Sequence, residues 1–151
     1  MNKYKLMSKM IEYSVPILNI FRPTSLWPYT LPQLEYMESG SLGNNLHEFL
    51  NNRNLDFLKN YETHDAYHAL LGYGTTVTEE LKLQAFMWGN GNSTYAGRAL
   101  LIFGLIIFPS KYQTLVIELK KGKSAKPLKL HDVISMLPKQ ITLLRKELCI
   151  K

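Results

Sequence analysis

The sequence predicts an all-α protein that forms a single compact domain of about seven short helices. Three observations support this fold class. Apolar residues recur at helical spacing, capping residues precede the apolar segments, and no strong period-2 pattern typical of strands is present. A length of 151 residues fits one domain over 1–151, with 1–41 as an N-terminal arm.

Turn residues mark the predicted helix ends in the first half of the chain. Residues 22–32 contain three prolines and predict an irregular connection. A helix is expected to begin near Leu42 and to stop in the turn-rich stretch 51–54. The next helix takes its cap from 60–63 and ends at Gly72.

Two capping-box signatures predict further helices in the second half. Thr76 is followed three residues later by Glu79, and Ser110 is followed by Gln113 at the same spacing. Gly122 is expected to form the C-terminal cap of the helix that begins after Ser110, because glycine adopts the left-handed conformation common at that position.

Composition and charge exclude several classes of protein. Hydrophobic residues make up 46% of the chain and charged residues 20%, which is typical of a folded domain and not of a disordered one. A single cysteine, Cys149, excludes an internal disulfide framework and a cysteine-based metal site. The net charge of +6 arises within 97–151, but its lysine run at 120–129 has no interleaved aromatic residues, so nucleic acid is not an expected partner.

No segment is convincing as a transmembrane span or signal peptide. The most apolar stretch, Ala99–Phe108, has ten residues, whereas a span needs roughly 20, so a buried or interfacial helix is expected. The N-terminus lacks an uninterrupted apolar block followed by a small-residue cleavage site. The expected location is cytoplasmic, with peripheral contact to the inner face of the membrane.

The residues that carry chemistry lie between 64 and 80. In a helix, His64 and His68 are one turn apart and point the same way, while Asp65 lies about 100° round the axis and flanks them. Glu80 belongs to the next helix, and a short Gly-rich turn would return it beside the histidines. Two imidazoles and two carboxylates predict a site for Zn²⁺, or for another divalent ion such as Mn²⁺, Fe²⁺ or Mg²⁺.

Two hydrolase alternatives remain open. The metalloprotease motif H-E-x-x-H places a glutamate general base where this chain has Asp65, which is shorter by one methylene. A phosphohydrolase built on scattered histidines and aspartates would need further ligands. His47 and Asp132 are present, but no spacing argument selects them.

The motif in this region resembles that of a known family. The sequence HDAYH at 64–68, followed by eleven residues and Glu80, resembles the HDxxHx11E motif of the Coq-four family of ubiquinone (coenzyme Q) biosynthesis proteins. Similarity continues through 70–78, and weaker similarity extends from about residue 42 to the C-terminus.

The resemblance implies an all-α protein whose metal ligands and catalytic residues are His64, Asp65, His68 and Glu80, with zinc as the usual metal. It implies a lyase that removes the C1 carboxyl of a 4-hydroxy-3-methoxy-5-polyprenylbenzoate and helps to organise the biosynthetic complex. The expected partners are a polyprenylated aromatic or isoprenoid lipid, an anionic membrane surface, other quinone-biosynthesis proteins and further copies of this chain. The alternative is a non-catalytic prenyl-lipid-binding scaffold with a structural metal. Ala99–Phe108 would then either line the lipid groove or form a plain core helix.

Overall fold

The chain folds into helices and turns throughout the part that the structure describes. A computed structural model describes residues 2–20, with the backbone alone for 14–20, and residues 26–151. In chain order the helices are α1 (Lys3–Ile20), α2 (Leu31–Glu35), α3 (Leu42–Asn51), α4 (Glu62–Leu71), α5 (Val77–Gly89), α6 (Tyr95–Ile107), α7 (Tyr112–Ser124), α8 (Val133–Met136) and α9 (Ile141–Glu147). Short 3₁₀ turns at Pro109–Lys111 and Leu128–Leu130 flank α7. The predicted all-α fold and single compact domain are confirmed.

More helices are present than the sequence predicted. Over the described residues there are nine α-helices against about seven expected. The two shortest, α2 and α8, have five and four residues. A helix of one turn is too short to display a 3.6-residue apolar repeat, which is why periodicity misses it.

Several predicted helix ends are confirmed. Helix α3 begins at Leu42 and ends at Asn51. The left-handed Gly72, with φ of +77°, ends α4. The Thr76 side chain accepts a hydrogen bond from the Glu79 backbone N–H at 3.3 Å and so caps α5. These ends depend on neighbouring residues only, so the local sequence determines them.

Gly122 does not end α7, which is a correction to the prediction. The helix continues to Ser124, and Gly122 is buried where α7 crosses α5. A Cβ at Gly122 would overlap the Phe86 carbonyl oxygen, and one at Gly89 would overlap that of Leu119. The two glycines therefore allow a close crossing of α5 and α7.

Three other local predictions need adjustment. Ser110 does not cap α7, because it lies within the Pro109–Lys111 turn, where the chain makes a 3₁₀ turn before the helix starts. Helix α4 starts at Glu62 behind Tyr61, without a side-chain cap. The irregular connection is confirmed for 26–30 and ends where α2 starts, while 22–25 lie outside the described residues.

Helix α5 lies at the centre of the fold. Its Leu83 and Phe86 pack into the larger apolar cluster, which joins α3, α4, α8 and α9. Its Leu81 and Ala85 pack into a smaller cluster that includes Met7 of α1 and residues of α6 and α7. Burial on both sides fixes α5 firmly, and with it the side chains that α5 presents to α4.

Helix α6 divides its apolar residues between the interior and the surface. Leu101 and Gly104 are buried, whereas Ile102, Phe103 and Ile106 are exposed. Among the described helices, none is long and apolar enough by itself to cross a membrane. Helix α6 reaches the length and hydropathy of a membrane span only when it is combined with Pro109–Leu130, and the chain bends by 110° between these two segments.

Candidate metal centre

Three of the four predicted site residues converge at the α4–α5 hairpin. The Nε2 atoms of His64 and His68 lie 3.1 Å apart. Oε2 of Glu80 lies 3.1 Å from the His68 Nε2 and 3.4 Å from the His64 Nε2. The expectation that Glu80 returns beside both histidines is therefore confirmed. Within the described part of the chain, these three residues form the one group suited in composition and spacing to hold a metal ion.

The local fold explains the convergence. His64 and His68 share one face of α4 because they are four residues apart. Gly72 reverses the chain after α4, and the Thr76 cap starts α5 four residues later, which places Glu80 in its first turn. The Phe49 ring of α3 stacks on the His68 imidazole at 5.7 Å with 16° between the planes. Packing thus holds His68 in one orientation.

The second nitrogen of His68 is fixed by the backbone. Its Nδ1–H donates to the Tyr73 carbonyl oxygen at 3.2 Å. With that hydrogen on Nδ1, the neutral ring presents the Nε2 lone pair to His64 and to the Glu80 carboxylate. Facing lone pairs on three groups repel one another unless a proton or a cation lies between them. Metal-bound histidines are oriented by the same kind of bond to a backbone carbonyl.

The donor atoms fit a tetrahedral divalent ion. Bonds of about 2.0 Å to a tetrahedral zinc place neighbouring ligand atoms about 3.3 Å apart. The three separations of 3.1, 3.1 and 3.4 Å are close to that value. Two histidines and one glutamate with a vacant fourth position are also the ligand set of a class of catalytic zinc sites. The residues present therefore fit the predicted metal.

Electrostatics favours an ionised Glu80. Burial alone would raise the pKa of its carboxyl, but when the Nε2 atoms of His64 and His68 carry protons in place of a cation, their hydrogen bonds and charge outweigh burial and hold that pKa well below the usual range. The other carboxylate oxygen, Oε1, accepts a hydrogen bond from Gln84 Nε2 at 2.8 Å. A carboxylate held in its charged form is ready to bind a cation.

Asp65 lies beside this group of three. It lines the same cavity, and the Leu58 backbone N–H donates to its carboxyl. Burial raises the pKa of this carboxyl to about 6, against the lowering effect of His64 and His68. Its position, one residue after His64, matches the flanking place expected from the helix geometry. The ligand role of Asp65 stays a prediction.

A cavity of about 620 Å³ opens onto the site. Its lining combines the four predicted site residues with aliphatic and aromatic side chains from α1, α3, α5 and α6 and from the loop before α4. These apolar residues include Ile11, Leu50, Leu55, Leu58, Met87 and Leu100. Of the stretch Ala99–Phe108, Leu100 alone lines the cavity. That stretch is thus mainly a packing helix with one exposed face.

The further residues that a phosphohydrolase would have needed do not line the cavity. Asp132 accepts hydrogen bonds from the Ile134 and Ser135 backbone N–H groups and caps α8. His47 lies on α3 and is not among the residues that line the cavity. The Glu79 backbone N–H donates to the Thr76 side chain at 3.3 Å, and the Glu79 carboxylate pairs with Lys82 at 2.6 Å.

Gln84 is a site residue that the sequence reasoning missed. It lies four residues after Glu80, one turn further along α5. The spacing itself was the available signal, because a glutamine one turn from a buried carboxylate is a natural hydrogen-bond donor to it.

The geometry defines a class of protein: an all-helical chain with a candidate divalent-metal centre on the wall of a cavity rich in apolar residues. The family follows from the sequence match. Residues 57–151 match the family model of the coenzyme Q (ubiquinone) biosynthesis protein Coq4, so the chain belongs to the Coq4 family.

A solved structure shows the same fold. It is the crystal structure of a protein from Nostoc punctiforme PCC 73102 that has been provisionally assigned to ubiquinone biosynthesis. The two superpose with a TM-score of 0.67 at 21% sequence identity, over 100% of this chain and 83% of the other. No curated protein matches this chain significantly.

Proposed function

We propose that this member of the Coq4 family is a metal-dependent lyase that removes the C1 carboxyl of a polyprenylated hydroxybenzoate. The observation that carries the proposal is the group formed by His64, His68 and Glu80 on the wall of the 620 Å³ cavity. Such a cavity has the size of a small-molecule site and can take both a polar head and part of an isoprenoid tail. Zinc is the proposed metal.

Each part of the site has a role in this reaction. His64, His68 and Glu80 would hold the metal, which when bound supplies Lewis-acid stabilisation of negative charge. The apolar lining would bind the prenyl chain. The bond between C1 and its carboxyl breaks, carbon dioxide leaves, and C1 takes up a proton. The His64 side chain is 29% exposed, so the site has access to water for that proton.

The alternative function is a non-catalytic scaffold that binds prenyl lipids around a structural metal. The observation in its favour is Asp65, which lies beside the group of three and could close the fourth coordination position. A fully protein-ligated zinc is typical of structural sites, whereas an open position is typical of catalytic ones.

The proposal is tested by metal analysis and by a product assay. Purified protein is analysed for bound metal and co-purified lipid by mass spectrometry, and then incubated with 4-hydroxy-3-methoxy-5-polyprenylbenzoate. We expect one metal ion per chain, an isoprenoid ligand, and a product lighter by the mass of carbon dioxide. His68→Ala should lose metal and product together, while His47→Ala, outside the site, should retain both. Metal and lipid without product would establish the scaffold alternative, and wild type without metal would refute both.

We also propose that α6 rests on an anionic membrane surface. Its exposed Ile102, Phe103 and Ile106 form an apolar face. The Tyr4 ring contacts that of Phe108, with 4.6 Å between the ring centres and 34° between the planes, which brings the exposed N-terminal lysines of α1 to the end of α6. Apolar side chains next to cations suit a negatively charged bilayer.

Vesicle sedimentation tests this contact. The protein should sediment with phosphatidylglycerol vesicles and remain in solution with phosphatidylcholine vesicles. Ile106→Ser should weaken binding, whereas Ile117→Ser, exposed on α7, should leave it unchanged. Equal binding by both variants would count against α6 as the contact.

Two further experiments address the other proposed partners. Light scattering would show whether a second copy of the chain covers this face instead. A pull-down with other quinone-biosynthesis proteins would test those proteins as partners.

A further inference from the structure

The two oxygens of the Glu80 carboxylate have different neighbours. Oε2 lies 3.1 Å from His68 Nε2 and 3.4 Å from His64 Nε2. Oε1 accepts a hydrogen bond from Gln84 Nε2 at 2.8 Å. One oxygen therefore faces the imidazoles, while the other is occupied by an amide one turn further along α5.

Gly97 of α6 makes room for that amide. A Cβ at this position would overlap Gln84 Oε1 and would lie 3.1 Å from Gln84 Cδ. Gly97 is buried, and its backbone is ordinary right-handed helix, so conformation does not require a glycine here. Alanine would favour the helix by about 1 kcal/mol. The missing side chain is thus explained by the contact with Gln84.

The start of α6 holds Gly97 in place. The Thr94 side chain accepts a hydrogen bond from the Gly97 backbone N–H at 3.0 Å and caps the helix. Gln84 lies between this fixed turn and Glu80, so its amide has little freedom to move away. Gln84, Gly97 and Thr94 all line the cavity that contains the metal centre.

We propose that Gln84, seated on Gly97, is a positioning residue that makes Glu80 bind the metal through Oε2 alone. A carboxylate that binds through both oxygens would take a second coordination position. The hydrogen bond to Oε1 holds the carboxylate with Oε2 towards the imidazoles, which disfavours binding through both oxygens and leaves that position to the ligand in the cavity. The inference rests on the proposed metal site and adds to it the device that sets its coordination number.

Two substitutions and a matched control test the proposal. Gln84→Met keeps a side chain of similar length but removes the N–H that donates to Glu80. Gly97→Ala leaves Gln84 in the chain but displaces its amide with the new Cβ. Gly104→Ala is the control, because the atoms nearest to its new Cβ belong to the Leu81 side chain at the same α5–α6 contact. Thermal melts confirm that each variant folds.

The readouts are zinc affinity, measured by competition with a chromophoric chelator, and the visible spectrum of the Co²⁺-substituted protein. We expect wild type and Gly104→Ala to show the intense absorption of four-coordinate Co²⁺. Gln84→Met and Gly97→Ala should show the weaker absorption of higher coordination, with zinc bound about 10- to 100-fold less tightly. A structural role alone would not change the coordination number.

The double variant supplies a sharper criterion. If Gly97 acts only through Gln84, then Gly97→Ala should have little further effect on zinc affinity in the Gln84→Met background. An equal loss in both backgrounds would overturn the proposed link between the two residues. Wild type that binds zinc while both single variants bind it equally well, with unchanged Co²⁺ spectra, would overturn the inference alone. Wild type that binds no metal would overturn the proposed function as well.

Discussion

Asp65→Asn should stabilise the metal-free protein at neutral pH. In the folded chain, burial raises the pKa of this carboxyl from 3.8 to about 6. At pH 7 the group is ionised in both states, so this rise in pKa corresponds to a penalty of about 3 kcal/mol for folding with the charged group. Asp65 is partly exposed, which reduces the penalty to about 2 kcal/mol. Asparagine has nearly the same shape and can still accept from the Leu58 N–H.

The sign of the effect gives it a defined pH window. Below pH 4 the Asp65 carboxyl is mostly protonated in both the folded and the unfolded state, so it behaves like a neutral amide. As pH rises through the folded pKa of about 6, the buried carboxyl ionises, and the stability that its neutral form retained is lost. The advantage of Asp65→Asn should therefore be near zero below pH 4 and complete above pH 6. Urea denaturation of chelator-treated protein between pH 4 and 7 measures it. A variant no more stable than wild type at pH 7, or a gain independent of pH, would refute the reasoning.

A control and a zinc arm complete this experiment. Asp56→Asn, at an exposed position in the preceding loop, should change the free energy of unfolding by less than about 0.5 kcal/mol at any pH. If Asp65 is also a metal ligand, added zinc should stabilise wild type more than Asp65→Asn, and so reverse the order seen without metal. Equal stabilisation of both proteins by zinc would show that Asp65 is not a metal ligand.

Three further substitutions probe the framework around the site. Gly122→Ala should lower the free energy of unfolding by about 1–3 kcal/mol, because its Cβ overlaps the Phe86 carbonyl oxygen, and a urea midpoint measures the loss. Tyr73→Phe should cost about 1–3 kcal/mol in the same assay, since it removes the donor to the buried Glu118 carboxylate, and a loss under 0.5 kcal/mol would contradict this. Asn90→Ala removes the side-chain oxygen that accepts a hydrogen bond from the buried backbone N–H of Leu128. Hydrogen exchange should then show that this amide exchanges faster than in wild type.

The parts of the fold that could be predicted from sequence are those determined locally. Thr76 caps α5 through a residue three positions away, and Gly72 ends α4 through its own backbone conformation. The prediction that Gly122 ends α7 was wrong because a glycine near the end of a helical pattern normally forms the C-terminal cap. Here its partner is Phe86, thirty-six positions earlier on another helix, and only the packed structure reveals that contact.

The candidate site divides in the same way. His64 and His68 are one turn apart, and Glu80 returns through a short connection, so sequence spacing was enough to bring them together. The role of Gln84 depends on Gly97, and that pairing depends on how α6 packs against α5. No local pattern encodes the distance between two helices. Spacing along the chain therefore identifies the candidate ligands, whereas the residues that orient them depend on helix packing.

The orientation of His68 also depends on a helix that contributes no ligand. Its Nδ1–H donates to the backbone carbonyl of Tyr73, in the connection between α4 and α5. The Tyr73 hydroxyl donates to the buried Glu118 carboxylate of α7 at 2.5 Å, and Lys121 pairs with the other oxygen at 3.0 Å. The connection that carries the carbonyl is therefore tied to α7 through the Tyr73 side chain. The basic C-terminal third of the chain thus supports the candidate metal centre, because it holds the backbone carbonyl that orients the His68 ring.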